Sequence, residues 1–423
     1  MLIKSIFMEL RTRLRSCNVY ITTGVDFSKN CNLKISIQSN CIVINYYNDN
    51  DKLKRSDSLS SIESLSDCES YSEDETDVST VIPINEYCEI IPNSMSCLKF
   101  NKNTISFRIL TAPKNGGNFY KELLSSTNNF QNKPCSELLM NVKPNDGIKI
   151  MCTNCSNIIS AGIVKFDRVL ELPSENLDMS DWFCHGHGHG HGENHGHGNN
   201  EAIELKPNKN DFLYRLTYFL INHCALSEKS NKFNLKRNSY HCNRCLAWLG
   251  IKNKDTVKMF NSEVKINDGE ADITVFTHKQ PSLDLKIDDF IHTIEKMAYE
   301  FNLGMQYSVM CKIVLECPIS ANNKQYLLIW IMDKELQVLR DTGEHIENDK
   351  IKLQSSLLTK ILYRVEFTMN GEVEAWLSDP GVVSTDISKS MFCRGVEHLQ
   401  KMTEKVPECF RNTNGYCVSY LKV

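Results

Sequence analysis

The chain has 423 residues, of which 41% are apolar and 24% are charged, and its formal net charge at pH 7 is -4. This composition can bury a hydrophobic core and excludes a chain that is disordered throughout. The near-neutral charge argues against direct nucleic-acid binding, because such proteins neutralise phosphates with a surplus of Lys and Arg.

The first residues carry no secretory signal pattern, and no apolar run reaches the length of a membrane span. We therefore expect an intracellular protein without a membrane partner, cytoplasmic and with nuclear residence left open. The chain contains 18 cysteines. In a reducing compartment, paired cysteines bind metal more often than they form disulfides.

The N-terminal part of the sequence predicts short strands, because β-branched and aromatic residues recur in segments bounded by turn residues. These segments are residues 19–22, 32–38, 41–46, 80–82, 89–91, 96–100 and 104–110. Residues 49–80 interrupt the pattern with ten acids, three bases and nine serines. This stretch is predicted to be a disordered acidic insertion.

The middle of the chain holds two Cys-x-x-Cys pairs with a Gly-His tract between them. Alternating Gly and His cannot pack a core, so residues 185–200 are predicted to form a mobile surface loop. Phe212, Leu216 and Phe219 follow with a spacing that predicts a helix over residues 209–221.

From about residue 262 the sequence alternates between helical and strand patterns. Apolar residues at helical spacing predict a helix over residues 287–301, with Ser282 or Asp284 as its cap. A second helix is predicted over residues 386–404. Strands are predicted over residues 271–277, 307–316, 325–332, 336–339, 358–368, 373–377 and 416–423. The predicted fold class is α+β: a β-rich domain with a four-cysteine zinc site in residues 1–256, followed by a smaller mixed α/β domain in residues 257–423.

The two Cys-x-x-Cys pairs give the sharpest chemical prediction. Cys152 with Cys155 and Cys242 with Cys245 supply four thiolates, which is the ligand set of one closed tetrahedral zinc site. We expect one structural zinc ion. The alternatives are buried reduced cysteines and a redox dithiol.

Cys184 and His185 follow Trp182 and are additional metal-ligand types between the two pairs. Because a closed structural site needs only four ligands, they are free to bind a metal that another protein holds. The alternative is a Trp and a Cys that pack in the interior.

No nucleophile motif of a known hydrolase, P-loop protein or kinase is present in the sequence. Five cysteines in the C-terminal part are candidate thiol nucleophiles: Cys311, Cys317, Cys393, Cys409 and Cys417. Cys393 has Arg394 and His398 near it in the sequence, and cations favour a thiolate. The alternative is a helical cysteine that only packs.

The order of these motifs resembles the HECT-like ubiquitin-protein ligases that bind a ubiquitin-conjugating enzyme. The specific part of the resemblance is a run over residues 172–185. It begins with Leu172, Pro173, Ser174, Glu175 and Asn176, continues with Trp182 and ends in Cys184 and His185. The resemblance implies that the chain accepts ubiquitin from a conjugating enzyme and passes it to lysines of substrates or of itself, with Cys393 as the candidate catalytic residue. It also implies binding roles for the residues of the run.

The resemblance also implies an alternative function without catalysis. Residues 172–185 would enter the active site of the zinc endonuclease of pre-mRNA 3′-end processing, with Cys184 as an incoming metal ligand, and would inhibit or chaperone that enzyme. The implied partners are thus a conjugating enzyme, ubiquitin and this endonuclease. A scaffold without ligase activity is the third alternative.

Overall fold

The structure is a computed structural model that describes residues 3–24, 26, 32–47, 78–114, 138–172, 206–278, 285–301, 310–320, 322–346 and 350–421. These residues form mostly β-strands, and three α-helices lie among them. None of the helices in the described ranges has the length and apolar character to cross a bilayer.

The N-terminal part forms strands in which buried and partly exposed residues alternate, as in β2. The strands are β1 (Ile3–Arg11), β2 (Ser16–Thr23), β3 (Asn32–Ile37), β4 (Cys41–Tyr47), β5 (Val78–Pro83), β6 (Glu89–Ile90), β7 (Ser96–Asn101) and β8 (Thr104–Ala112). Every strand predicted from the sequence in this part is present. Residues 78–80 of the predicted insertion belong to β5, and the rest of it lies outside the described residues.

Residues 138–278, here called the middle module, carry the four cysteines. Their strands are β9 (Leu138–Met140), β10 (Gly147–Cys152), β11 (Val164–Lys165), β12 (Arg168–Glu171), β13 (Asp211–Tyr214), β14 (Tyr218–Asn222), β15 (Asn231–Asn234), β16 (Ser239–Cys242), β17 (Trp248–Asn253), β18 (Thr256–Phe260), β19 (Val264–Asn267), β20 (Asp272–Ile273) and β21 (Phe276–His278). They build one sheet in the order β11-β10-β19-β20, a second in the order β12-β13-β14-β18-β17-β16-β15, and the pair β21-β9.

The C-terminal part combines helices with long strands. Its elements are α1 (Leu285–Phe301), β22 (Cys311–Ser320), β23 (Asn323–Ile346), β24 (Lys350–Glu366), α2 (Gly371–Leu377), β25 (Val382–Asp386), α3 (Lys389–Glu404), β26 (Asn412–Thr413) and β27 (Tyr416–Leu421). The two longer helices confirm the predictions from apolar spacing. The side chains of Phe290, Ile294 and Met297 on α1 are buried against β22, β23 and α3.

Among the described residues, one sheet of 14 strands joins the N-terminal part to the C-terminal part, and this finding overturns the predicted fold class. β1 pairs with β23, and β5 pairs with β24, so the long C-terminal hairpin extends the N-terminal sheet. The protein is therefore a β-rich fold, and its described residues do not form the smaller separate α/β domain of the α+β prediction. A division into folding units at residue 256 stays a prediction that limited proteolysis would test.

The hairpin of β23 and β24 is long enough to enter two cores. Leu339 and Leu353 pack in the N-terminal core against β1, β2 and β8. Ile329 and Ile361 pack in the C-terminal core under α1 and α3. Irregular pairing between Ile331 and Leu336 separates the two halves of the hairpin and lets the strands bend between the cores.

Two local predictions are wrong. Residues 209–221 form the hairpin of β13 and β14, in which the rings of Phe212 and Phe219 stack at 4.5 Å. Two rings that lie diagonally across a hairpin happen to have the sequence spacing of two helical turns. Residues 373–377 lie in helix α2, because the Asn370 side chain accepts hydrogen bonds from two backbone N–H groups of its first turn.

Candidate metal centre

The structure brings the four predicted cysteines of the middle module together. Their Sγ atoms all lie within 4.8 Å of one another. Cys152 Sγ is 3.7 Å from Cys245 Sγ, and Cys155 Sγ is 3.5 Å from Cys242 Sγ. Tetrahedral coordination with metal–sulfur bonds near 2.3 Å places sulfurs about 3.8 Å apart. The cluster therefore has both the donors and the spacing to hold a metal ion.

The two Cys-x-x-Cys turns have the same backbone geometry. The carbonyl of Cys152 accepts a hydrogen bond from the N–H of Ser156 at 2.9 Å, and the carbonyl of Cys242 accepts one from Leu246 at 2.9 Å. Ser156 and Leu246 both have left-handed backbones, with φ of 58° and 61°. Each turn thus folds back sharply after its second cysteine, which points the two thiols of the pair to the same side.

Side-chain amides hold the two turns against each other. Asn157 Nδ2 donates to the carbonyl of Ser230 at 3.3 Å and approaches Cys242 Sγ at 3.5 Å. Asn231 Nδ2 donates to the buried carbonyl of Ile159 at 2.7 Å. These contacts join the sheet that contains β10 to the sheet that contains β16, so the cluster sits at a seam between two sheets.

The thiols differ in how readily they ionise. Burial raises the pKa of the Cys152 thiol to about 12. Burial also opposes ionisation of Cys245, but hydrogen bonds, first among them that from the Ala247 backbone N–H, lower the pKa of its thiol to about 6. A cation held by the four cysteines would stabilise their thiolates, so its binding would release protons from this cluster.

Cys393 is placed apart from the metal centre, in helix α3, with an exposed side chain. Helical geometry puts Lys389, four residues earlier, on the same face as the thiol, whereas Arg394 and His398 point in other directions. The other exposed cysteines of the described residues are Cys97 and Cys224. The catalytic role of Cys393 stays a prediction.

Among the other candidate thiols, Cys311 and Cys317 are buried in β22 and are packed in the C-terminal core. Burial, and then the nearby Cys393, raises the pKa of the Cys317 thiol to about 12. Cys409 and Cys417 are partly buried. Of the five candidates, Cys393 is the one whose thiol is exposed.

Only Leu172 of the predicted binding run lies in the described part of the chain. Its N–H donates to the carbonyl of Tyr214 at 2.8 Å, and its side chain packs beside Tyr218 and Phe260. Outside the described residues lie Pro173, Ser174, Glu175, Asn176, Trp182, Cys184, His185 and the Gly-His tract. The endonuclease-binding alternative therefore stays a prediction.

Sequence reasoning missed a buried ion pair near α3. The carboxylate of Asp386, which is 6% exposed, binds the ammonium of Lys258 and lies 3.1 Å from that of Lys324. Burial opposes ionisation of Asp386, but these two lysines keep its pKa below the usual value. The partners are more than 60 residues apart in the chain, so no local pattern could have identified them.

Comparison with known proteins decides the family. The sequence profile described as "HECT-like Ubiquitin-conjugating enzyme (E2)-binding" matches residues 9–418. The chain belongs to this family. The resemblance inferred from the cysteine pairs and the Leu-Pro-Ser-Glu-Asn run is thereby confirmed.

The chain is also similar to a curated protein. It is a protein of Pongo abelii that is named as an E3 ubiquitin-protein ligase, and it is 22% identical over 311 residues, which cover 64% of this chain and 72% of the relative. No solved structure matches the chain. The profile of the E2-binding family spans both the middle module and the large sheet, so the family resemblance is not confined to the cysteine cluster.

Proposed function

We propose that this protein is a ubiquitin-protein ligase that binds a ubiquitin-conjugating enzyme and promotes transfer of ubiquitin to lysines of substrates or of itself. The observation that carries the proposal is the match of the E2-binding family over residues 9–418. The relative named as an E3 ligase supports it. Family membership supports a ubiquitin-related function, and the transfer of ubiquitin by this chain is our proposal.

The transfer step proposed for this chain uses Cys393 as a thioester acceptor. The Cys393 thiolate attacks the thioester carbonyl of the charged conjugating enzyme, forms a new thioester with ubiquitin and releases the conjugating enzyme's thiolate. A substrate lysine amine then attacks this thioester, forms an isopeptide bond with ubiquitin, loses a proton to solvent or a base, and releases the Cys393 thiolate. The exposure of Cys393 supports this step, because a buried thiol cannot reach a second protein's thioester.

A matched pair of variants tests the proposal. Purified Cys393→Ala and Cys224→Ala proteins are incubated with activating enzyme, a panel of conjugating enzymes and labelled ubiquitin, and the products are resolved with and without reducing agent. Cys224 is the control because its thiol is also exposed. We expect the wild type and Cys224→Ala to form a reducible ubiquitin adduct and to ubiquitinate themselves, and Cys393→Ala to do neither.

The other outcomes separate the versions of the function. Self-ubiquitination that persists in Cys393→Ala contradicts the thioester step and leaves a ligase that only positions the charged conjugating enzyme. Absence of ubiquitin transfer in the wild type with every conjugating enzyme contradicts the ligase proposal as a whole.

We further propose that the metal of the four-cysteine cluster is zinc in a structural role. Cys152, Cys155, Cys242 and Cys245 would hold it. Their four soft donors and tetrahedral spacing are typical of structural zinc sites. Bound there, zinc would supply a cross-link between two sheets, and the closed ligand set would leave no coordination position for a substrate.

A further inference from the structure

The middle module meets the turn that leads from β25 into α3 through four side-chain contacts. On the module side the contacts come from Thr217, Lys258, Ser262 and Glu263. On the other side they reach Asp386, Ser388 and Ser390. The helix that carries Cys393 therefore begins directly on the module that carries the metal centre.

The contacts of Thr217 and Lys258 fix the end of β25. Thr217 Oγ1 donates to the carbonyl of Asp386 at 2.7 Å, a bond that is fully buried. The Asp386 carboxylate binds Lys258 of β18 and Lys324 of β23. The backbone carbonyl and the side-chain carboxylate of Asp386 both have partners, so the position of this residue is fixed. Asp386 lies two residues before the N-cap of α3.

The contacts of Ser262 and Glu263 fix the first turn of α3. Ser388 is the N-cap, and its Oγ accepts a hydrogen bond from the N–H of Met391 at 3.1 Å. The Oγ of Ser262 lies 2.7 Å from the same hydroxyl. The Glu263 carboxylate accepts a hydrogen bond from Ser390 Oγ. Ser390 lies three residues before Cys393, so the two side chains are on the same face of the helix.

Glu263 also contacts the metal centre. Its carbonyl accepts a hydrogen bond from the N–H of Thr153 at 3.1 Å, and Thr153 lies between the ligand candidates Cys152 and Cys155. The next residue, Val264, pairs with Cys152 across β19 and β10. One residue thus binds the first cysteine turn through its backbone and the first turn of α3 through its side chain.

We propose that Glu263 is a positioning residue that couples the order of the four-cysteine centre to the first turn of α3 and hence to the conformation around Cys393. The Thr153 turn binds the backbone of Glu263, and the Glu263 carboxylate binds Ser390. A metal held by the four cysteines would order the Thr153 turn, so removal of that metal would loosen the start of α3. The consequence for ubiquitin transfer rests on the proposed function, whereas the coupling itself does not.

Hydrogen exchange measured by mass spectrometry on the full chain tests the coupling. The readout is the exchange rate of the amides of residues 391–393, in metal-loaded protein and after chelation. We expect both chelation and Glu263→Ala to speed this exchange by roughly tenfold, the factor expected when a hydrogen bond to a charged group is lost. Chelation of Glu263→Ala adds less than chelation of the wild type, because the Glu263 contact with Ser390 is already lost. Restoring zinc to the wild type restores protection.

Two control variants separate coupling from a general loss of stability. Glu263→Gln keeps an oxygen acceptor for Ser390 and should exchange within about twofold of the wild type, since a neutral acceptor still forms the bond. Glu270→Ala removes an exposed glutamate of the same module and should leave α3 unchanged. Exchange in β1 and β22 reports whether the whole chain has loosened.

Unchanged exchange at residues 391–393 in metal-loaded Glu263→Ala overturns the proposal. So does an effect of chelation that is as large in Glu263→Ala as in the wild type. If chelation also speeds amide exchange in β1 and β22, the whole chain has loosened. The comparison of the metal-loaded variants then tests the proposal without the chelated samples. Should Glu263→Ala fail to fold, Ser390→Ala removes the same hydrogen bond from the α3 side and takes its place.

A ubiquitin assay then distinguishes this coupling from the proposed function. With coupling and ligase both correct, Glu263→Ala slows formation of the Cys393 adduct, and Glu263→Gln restores it. Changed exchange without any ubiquitin transfer in the wild type would retain the coupling and contradict the ligase proposal. Ubiquitin transfer by the wild type together with unchanged exchange in Glu263→Ala would retain the ligase proposal and contradict the coupling.

Discussion

The hydroxyl of Tyr420 on the last strand donates a hydrogen bond to the buried carboxylate of Glu9 on the first strand. Lys360 Nζ lies 2.6 Å from the same carboxylate, and Asn18 Nδ2 lies 3.0 Å from it. Burial opposes ionisation of Glu9, but Lys360 and these hydrogen bonds keep its pKa below the usual value. The two ends of the chain therefore meet at a charged group inside one sheet.

The Glu9 site yields a prediction about stability. Glu9→Gln leaves the Lys360 ammonium, whose side chain is only 21% exposed, without its counter-charge. Breaking one partner of a buried pair is strongly destabilising, so we expect the free energy of unfolding in urea to fall by about 3 kcal/mol. Glu397→Gln is the control, because its ion pair with Lys401 is solvent-exposed, and it should leave the urea midpoint unchanged. Equal midpoints for the two variants would contradict this assignment.

Glu9 and Asp386 together predict the response of the fold to acid. Both carboxyls have lowered pKa values in the folded chain. The stability that these two carboxylates contribute is thus fully present at pH values above their usual pKa values of 4.5 and 3.8. It is lost as the pH falls below them. We expect the free energy of unfolding to decline steeply from about pH 4 downward. Urea titrations at a series of pH values measure the slope.

The double variant Glu9→Gln with Asp386→Asn checks the origin of that decline. It should be less stable at pH 7 and should lose part of the acid dependence, because the two groups no longer titrate. A slope identical to that of the wild type would assign the acid response to other carboxyls.

Local chemistry in the sequence was enough to predict the cysteine cluster and the longer helices. Two Cys-x-x-Cys pairs in one chain supply the four thiolates of a closed zinc site, and α1 follows a 3.6-residue apolar period. The pairing of β1 with β23 joins residues more than 300 positions apart, and no local pattern encodes it. The hairpin around Phe212 and Phe219 was mistaken for a helix because a seven-residue spacing fits both structures.

The metal centre predicts a difference between two cysteines of the same module. Cys152→Ser removes one ligand of the closed set, so we expect bound zinc to fall from about one ion per chain to well below it. Because binding of a structural metal contributes directly to folding, thermal unfolding should begin at a clearly lower temperature. Elemental analysis and calorimetry measure both effects.

Cys224→Ser is the matched control for the metal centre. Its thiol is exposed and lies outside the cluster, so metal content and unfolding temperature should stay at the wild-type values. If both serine variants keep one zinc per chain, the metal is bound elsewhere and the four-cysteine assignment is wrong.

The contact between α1 and α3 predicts the effect of a single added carbon. A Cβ at Gly395 would lie 2.3 Å from Cε2 of Phe290, whose ring is fully buried and cannot move without repacking the core. Overpacking costs about 1–3 kcal/mol, and the better helix propensity of Ala offsets about 1 kcal/mol of this. We expect Gly395→Ala to lower the free energy of unfolding by up to about 2 kcal/mol.

Two further variants show whether the Phe290 ring is the cause. Gly371→Ala, at the start of α2, meets no atom within 4 Å of the new Cβ, so urea unfolding should show equal or slightly higher stability. Phe290→Leu removes the clashing ring atoms, so combining it with Gly395→Ala should cost less than the sum of the two single changes. Strict additivity would mean that α3 shifts away from α1 as a unit, and the start of α3, where Ser388 and Ser390 contact the middle module, would then shift with it.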